Sequence, residues 1–410
     1  MRHCKLKWEK KVLGSICGYI ATGKLDANAM VDGGEYRFYT CAENYYQIDT
    51  YAFEGQSLLI SGNGANVGYV HYYNGKFNAY QRTYVLQNFQ ENIFYLKHYL
   101  KTYLKNRIAK EVNAGNIPFI KLNTLTDMNI FYPVDKTEQE KIAKILSTCD
   151  SVIEKTEETI EKYKQIKVGM MQDLFTRGLD ESGKLRPKYQ DAPELYKYSE
   201  ELERYIPKDW DVNDLEYYTN LIKDGTHGTH KDVDNGIPLL SAKDIVNGNV
   251  LVPNDCRRIS KKDYDNIHKN YKLELEDVLL TIVGTIGRTA VIKNIDKSYT
   301  FQRSVAVIKL KNTKYSDYFY YYFSFEDTQK QLSSMMNASA QGGLYLGQLS
   351  KIQISIPNKE DEIFNIKNQL LAIDSKIKLE QQYLSKYKQI KQGLMKKLLT
   401  PPADAEIVEE

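Results

Sequence analysis

Residues 223–232 read KDGTHGTHKD. Thr226, His227, Thr229, His230 and Lys231 crowd hydroxyl, imidazole and ammonium groups onto one short loop, and Gly225 and Gly228 free its backbone to approach another surface closely. This is binding chemistry, hydrogen bonds offered to a polar partner, rather than bond-making chemistry. His227 and His230 stand at i and i+3, a spacing open to a metal. No matching Cys or third His lies nearby, so no metal site is expected, and a solvated loop is the plain alternative to ligand contact. Similar groups recur at other turns. Ser241 and Lys243 follow GIPLL, the end of an apparent strand, and Thr285 and Arg288 sit in GTIGRT. Toward the N-terminus, Thr22 and Lys24 in ATGK, Arg37 with Tyr39, and Asn63 with Asn66 in SGNGAN hold comparable places. Ordinary turn chemistry accounts for each as readily as ligand contact does. Two Gln-Arg pairs, Gln81-Arg82 and Gln302-Arg303, each lead into a strand. The run GNGANVG lacks the spacing of a dinucleotide loop and is not followed by the Lys and hydroxyl of a phosphate loop.

No reaction centre is expected. Carboxylates are dispersed, and no catalytic constellation recurs along the chain. The one Pro-Pro, at 401–402, follows Thr400 and precedes Ala403, so the Asn/Asp-Pro-Pro-aromatic motif of an adenine methyltransferase is absent.

The elements that carry these loops belong to a chain of 410 residues, enough for two or three globular units. It is 42% hydrophobic and 27% charged, the composition of a folded, soluble protein. Net charge is only +3, so any nucleic-acid contact must come from local patches. Residues 1–136 hold 16 Lys and Arg against 11 Asp and Glu (16 − 11 = +5), and residues 204–357 hold 20 against 18 (20 − 18 = +2). Cys4, Cys17, Cys41, Cys149 and Cys256 are scattered, without a CxxC, as reduced thiols would be. No run suggests a signal peptide or a membrane span, so a cytoplasmic location is expected.

One segment occurs twice. KYKQIKVGMMQDLFT at 162–176 returns as KYKQIKQGLMKKLLT at 386–400, an offset of 386 − 162 = 224 positions. The offset extends backwards. Between 138–176 and 362–400, 16 of 39 positions are identical, among them Asp150 and Asp374, and Leu125/Leu349, Ile130/Ile354 and Pro133/Pro357 continue the match. Each copy is a strand-like run closed by Pro, then a long stretch free of Pro and Gly. The seam Ile142, Leu146, Cys149, Ile153, Thr156, Ile160, Tyr163, Lys167, Met170, Leu174 steps by four and three, a period of 3.5. Its counterpart is Ile366, Leu370, Ile373, Ile377, Glu380, Leu384, Tyr387, Lys391, Leu394, Leu398. Such a seam needs a helical partner, and the economical one is the other copy, with Thr156 and Glu380 setting register. A helix of this length runs to about 60 Å.

The segments before each helix share a grammar but little identity. Each opens with a Trp (Trp8, Trp210), carries a strand and Gly-rich turn (SLLISGNGANVGYV, DVLLTIVGTIGRTAVI), and continues into an aromatic helical stretch at 93–112 or 315–335. The basic positions Lys97, Lys101, Lys105, Arg107 and Lys110 suit either a phosphate track or a solvated face, the latter being the simpler reading. Residues 177–209, polar with three Pro and two Gly, read as an extended connection. The result is an α+β chain with two α/β-mixed lobes separated by two long antiparallel helices in an intramolecular coiled coil, with pseudo-two-fold character. Constant helices suit an invariant partner bound twice; dissimilar lobes suit two different short targets.

In this order and spacing the chain resembles the specificity subunit of type I restriction–modification systems. The resemblance rests on the Pro-closed strands, EQEKIAKIL at 138–146, the YKQIK-containing helix ends, and the linker motifs GKLRP (183–187), PELYKYS (193–199) and IPKDW (206–210). It implies a first target-recognition domain at 1–136, a conserved helix at 137–178, a linker at 179–209, a second target-recognition domain at 210–357, a second conserved helix at 358–400 and a tail at 401–410. It implies a non-catalytic subunit without a cofactor of its own. S-adenosylmethionine would sit on two modification subunits docked on the helices, with restriction subunits as further partners. Double-stranded DNA would be read as a bipartite asymmetric site. The loop residues named above then become candidates for base or phosphate contact. An element shared by lobes of different specificity should not read sequence, so Gln81-Arg82 and Gln302-Arg303 suit phosphate positioning or a structural hydrogen bond. The helix-pairing set would be Ile142, Leu146, Ile153, Ile160, Tyr163, Ile366, Leu370, Ile377, Leu384 and Tyr387. Competing readings are a coiled-coil scaffold with two binding lobes and a catalytic methyltransferase or nuclease subunit.

Overall fold

A computed structural model describes residues 7–111, 119–295, 298–337 and 342–409; Cys4 lies outside them. The chain divides into two compact units, Met1–Thr159 with Glu380–Glu410, and Ile160–Leu379. Both long helices, Lys136–Thr176 and Glu360–Leu398, contribute residues to each unit.

In the first unit, a six-stranded sheet runs in the order Cys17–Thr22, Thr83–Phe89, Phe53–Ser61, Val70–Ala79, Tyr36–Tyr39, Tyr46–Ile48. All neighbours are antiparallel except Tyr36–Tyr39, which lies parallel to Val70–Ala79. Leu58, Ile60, Val70 and Leu86 face the helix Ile93–Glu111, which buries Tyr95, Leu96, Tyr99, Leu100 and Leu104 against them. The opposite face holds a smaller cluster of Tyr39, Leu59, Phe77, Ala79 and Val85. Strand Lys7–Val12 pairs antiparallel with Asn129–Pro133, which places Trp8 opposite Pro133, and parallel with Glu406–Glu409.

The second unit repeats this plan on other residues. Its central sheet has the order Thr219–Asp224, Val305–Leu310, Val278–Thr281, Thr289–Val291. Ile237–Leu240 lies parallel to Thr300–Phe301, as Tyr36–Tyr39 does to Val70–Ala79. Trp210 stands opposite Pro357 in the pair Trp210–Asp214 with Gln353–Pro357. Helices Ser316–Ser324 and Glu326–Asn337 replace the single aromatic helix, and Tyr318, Phe319, Tyr322 and Phe323 fill a core with Phe175, Ile363, Ile366 and Leu370.

The long helices pack together, and in each unit they run antiparallel. Every seam position is buried or half-buried, which a 3.5-residue period requires of a paired helix. Register is not held as the sequence suggested. The Thr156 hydroxyl donates to the carbonyl of Val152 on its own helix, 2.7 Å away, a bond open to any helical Thr. The locks are charged. In the first unit Lys391 pairs with Asp150 and Lys388 with Glu157 (2.7 Å); in the second Lys167 pairs with Asp374 at 2.7 Å.

The linker departs from a bare extended connection. Leu179, Ala192, Tyr196 and Ile206 are buried, and Tyr196–Ser199 forms a hairpin with Arg204–Pro207. Its anchor is the buried carboxylate of Glu362, which accepts from Nη1 and Nη2 of Arg186 (2.5 and 3.0 Å), the indole of Trp210 (3.1 Å) and the Leu179 amide (2.8 Å). A buried carboxylate needs this many donors, and a polar composition does not reveal that one linker arginine would supply two of them.

Candidate nucleic-acid interface

In each unit the loops are tied to one another by matching backbone hydrogen bonds. In the first, the Gly23 amide donates to Thr83 (3.2 Å), Gln81 to Leu25 (2.8 Å), Gly62 to Arg82 (2.8 Å), Tyr80 to Tyr39 (2.9 Å), Gly68 to Ser61 (2.8 Å) and Ile120 to Gly62 (2.8 Å). In the second, Gly225 donates to Val305 (3.1 Å), Arg303 to Thr226 (3.1 Å), Ile282 to Ser304 (2.9 Å), Gln302 to Leu240 (2.8 Å), Gly287 to Thr281 (3.0 Å) and Leu344 to Ile282 (2.9 Å). Bond for bond these are the same rim. Gly23 and Gly225 are its tightest points. A β-carbon on Gly23 would lie 1.8 Å from the Ala79 carbonyl oxygen, and one on Gly225 2.1 Å from that of Phe301.

Most sequence candidates come together on these rims. In the first lobe Thr22 ends a strand, Lys24 is exposed beside Gly23, and Asn63 and Asn66 occupy the loop between Ser61 and Gly68. In the second, Thr226 through Lys231 form the corresponding loop, and exposed Thr285 and Arg288 flank Gly287. Arg37 lies two residues before the rim on Tyr36–Tyr39. The Tyr39 ring is buried in the small cluster, and Ser241 has its amide and hydroxyl on Asp244 (2.8 and 3.2 Å), leaving exposed Lys243 as the free group of that turn.

The two Gln-Arg pairs are one residue out of register. The turn closes from Thr83 to Tyr80 in one lobe and from Val305 to Gln302 in the other, so Gln81 matches Arg303 rather than Gln302. The repeated element is the backbone turn; its side chains point to solvent at Gln81, Arg82 and Arg303.

The histidine loop is internally braced. His227 Nε2 lies 2.5 Å from an Asp224 carboxylate oxygen, and His230 Nε2 lies 2.8 Å from the Thr226 hydroxyl, with Nδ1 3.5 Å from Asp263. The Ser260 hydroxyl, ahead of smaller contributions from His230, holds the half-buried Asp263 carboxyl below its ordinary range. Among the described residues no group of three or more His, Cys, Asp or Glu could hold a metal ion.

Of the basic helix, Lys105 and Lys110 are exposed, but Arg107 donates to the carbonyls of Thr124 (2.7 Å) and Asn123 (3.4 Å). Burial pushes Lys101 below the usual lysine range. The helix is thus a structural brace with only part of its charge available.

Sequence reasoning did not find how each lobe is seated on the helices. Tyr95 and Tyr99 donate to the carbonyls of Phe131 (2.7 Å) and Asn129 (3.3 Å); Tyr318 and Tyr322 donate to Ser355 (2.8 Å) and Gln353 (3.3 Å). Between them, His98 and Tyr321 reach the duplicated aspartates. The Tyr321 hydroxyl donates to Asp374 at 2.7 Å. His98, fully buried, lies 3.9 Å from Asp150 through Nδ1, which makes no hydrogen bond among the described residues, while Nε2 lies 3.0 Å from the Ser147 hydroxyl. Burial pushes the His98 imidazole down to about 4, against the pull of Asp150. Lys167 and Lys391 in an apolar seam were the available signal, since a half-buried ammonium requires an acceptor.

A family model for the type I restriction modification DNA specificity domain matches residues 5–165 and 201–389, most of the chain. The chain belongs to that family. It is similar to the type I restriction enzyme EcoDI specificity subunit of Escherichia coli, 36% identical over 169 residues, 41% of this chain and 37% of that relative's length. It is also similar to the MjaVIII specificity subunit of Methanocaldococcus jannaschii, 26% identical over 415 residues, 96% of this chain and 92% of the relative. Among solved structures, the S subunit from M. genitalium shares the fold with a TM-score of 0.62 at 17% identity, covering 98% of this chain and 99% of that one. A chain from a study of complex assembly and conformational transition of the type I R-M system gives 0.55 at 13%, covering 96% and 98%. Among the described residues no helix is long and apolar enough to cross a membrane.

Proposed function

We propose that this chain directs a type I restriction–modification complex to a bipartite, asymmetric DNA site, each lobe reading one half-site. The observation that carries this reading is the matched rim. Two lobes hold the same loops by the same backbone bonds, yet present different side chains: Lys24, Asn63, Asn66 and Arg82 on one, the histidine loop with Thr285 and Arg288 on the other. A common scaffold with private side chains suits two targets of one kind and different sequence. The duplicated helix ends, with exposed Lys386, Lys396 and Lys397 in the second copy, suit two identical partners. We assign the partner role there to two modification subunits, which would carry S-adenosylmethionine and methylate adenine, and restriction subunits would join that assembly. Recognition and placement are this chain's part in the reaction, and no chemical step is routed through its residues.

The test is to map methylated adenines in DNA treated with this chain assembled with its modification subunit. A two-part motif with an unread spacer is expected; a single contiguous motif would sink the reading. Replacing residues 1–136 with another such lobe should change one half-site and leave the other.

A further inference from the structure

The three arginines of the first lobe that the structure describes differ in how free their guanidinium groups are. Arg107 is committed to two backbone carbonyls and lies 3.4 Å from Glu111. Arg82 is exposed, and among the described residues its side chain makes no hydrogen bond or ion pair. Arg37 belongs to neither class. Its guanidinium carbon lies 4.2 Å from the ring centroid of Tyr45 and 4.5 Å from that of Tyr73, and Nη1 donates to the Tyr39 hydroxyl at 3.4 Å. No carboxylate pairs with it among the described residues.

Rings that pack on a guanidinium attract it through their negative faces and restrict its rotation, while its N–H groups stay in plane and available. Among the described residues only one of the five donors of Arg37 is engaged. Two of these three tyrosines are packed in turn: the Tyr39 ring against Phe77 at 5.9 Å and Tyr73 against Phe77 at 5.8 Å, both edge-on. The rotamer freedom that a surface arginine loses on binding is therefore already lost here. A held fork without a counter-ion matches two acceptors in one plane. In duplex DNA the base edge of that description is O6 and N7 of guanine in the major groove. An exposed arginine with no side-chain partner among the described residues, such as Arg82, suits a phosphate instead.

We propose that Arg37 is a specificity-determining residue of the first lobe, its guanidinium reading a guanine in the half-site that lobe binds. This rests on the two-lobe reading and adds the base. The contact is private to the first lobe: counting back from the matched bonds of Tyr39 and Leu240, the position of Arg37 is taken in the second lobe by Pro238, which has no side-chain donor.

The experiment uses the full chain with its modification subunit on a pool of duplexes of randomised sequence, with methylated adenines read by sequencing and binding measured across salt. Arg37→Lys keeps the charge and removes the planar fork. Discrimination at one guanine of one half-site should fall about tenfold, with every other position and the salt slope unchanged. Arg82→Ala should weaken all sequences alike and make the slope shallower by about 1. Tyr45→Ala leaves Arg37 in place and removes one wall; it should blunt the same position, and it decides the matter if Arg37→Lys loses its fold by thermal melt. An Arg37→Lys profile that is unchanged, or one weakened alike for all sequences, overturns the proposal while the bipartite reading stands. A wild-type complex without a two-part motif overturns both.

Discussion

Gly23 and Gly225 press against the same turn in two lobes whose loops share hardly a residue. Beyond that turn the lobes diverge. In the first, the chain passes from Tyr39 to Phe53 with little cover, and Tyr45 stays nearly half exposed (46%) beside Arg37. In the second, the longer stretch from Leu240 to Val278 builds the helix Lys261–Ile267 and buries Tyr271 against Leu240, Leu279 and Phe301. The second lobe holds its polar groups out on the braced loop of His227 and His230. The first keeps a guanidinium between rings on the sheet. Backbone bonds fix where the loops are, and loop length then decides whether a lobe reads from its sheet or from its rim.

The sharpest way to break this comparison is to strike the shared element in one lobe. Gly225→Ala drives a β-carbon into the Phe301 carbonyl and should cost about 3 kcal/mol or more, because backbone cannot retreat as a side chain would. Methylation mapping should then show the second half-site lost and the first intact. Gly23→Ala should do the reverse, and joint loss in either variant would mean the lobes do not act independently.

A smaller effect separates the two seats. Neutral His98 is favoured in the fold because burial lowers its pKa to about 4. A lowered histidine pKa gives stability that is whole above the ordinary value near 6.5 and is lost as pH falls toward 4. Asp150 faces His98 together with Lys391, Lys97 and Lys101, and its upward pull is already contained in that value. Thermal melts between pH 7 and 5 should show the first unit losing about 2 kcal/mol that His98→Tyr, the arrangement of Tyr321, retains. Equal pH dependence of the two chains would refute the assignment.

The least expected effect is in the ion pairs. Asp150 and Lys391 are 29% and 17% exposed, Asp374 and Lys167 32% and 20%. Solvent at that level leaves each pair about 1 kcal/mol by double-mutant cycle. Similar values would confirm them as equivalents; a much larger coupling in one pair would break the equivalence.

The helices were legible in the sequence because one task repeated leaves one pattern repeated. Ile142, Leu146, Ile366 and Leu370 declared their burial through spacing alone. Trp8 and Trp210 likewise announced the lobe starts that the structure sets opposite Pro133 and Pro357. The rims were only half legible. Thr22, Lys24, Asn63 and the histidine loop were visible as turn residues, but their equivalence is written in amide-to-carbonyl bonds, which place no demand on side-chain type. That is why Gln81-Arg82 and Gln302-Arg303 invited a match one residue off. The Arg37 cradle was hidden for another reason. Tyr73 reaches it only because Tyr36–Tyr39 lies parallel to Val70–Ala79, and parallel neighbours come from distant sequence, while Tyr45 arrives locally from the turn into Tyr46–Ile48.

The two ion pairs also constitute a pairing code. Upstream of the linker the chain carries Asp150 and Lys167, and downstream of it Asp374 and Lys391, so each half holds one charge of each sign. What the downstream half offers the upstream one, a second upstream half would offer as well. Lys167→Asp combined with Asp374→Lys would keep both native pairs attractive and leave each half repelling a copy of itself, so that two lobes of chosen specificity would join in only one combination.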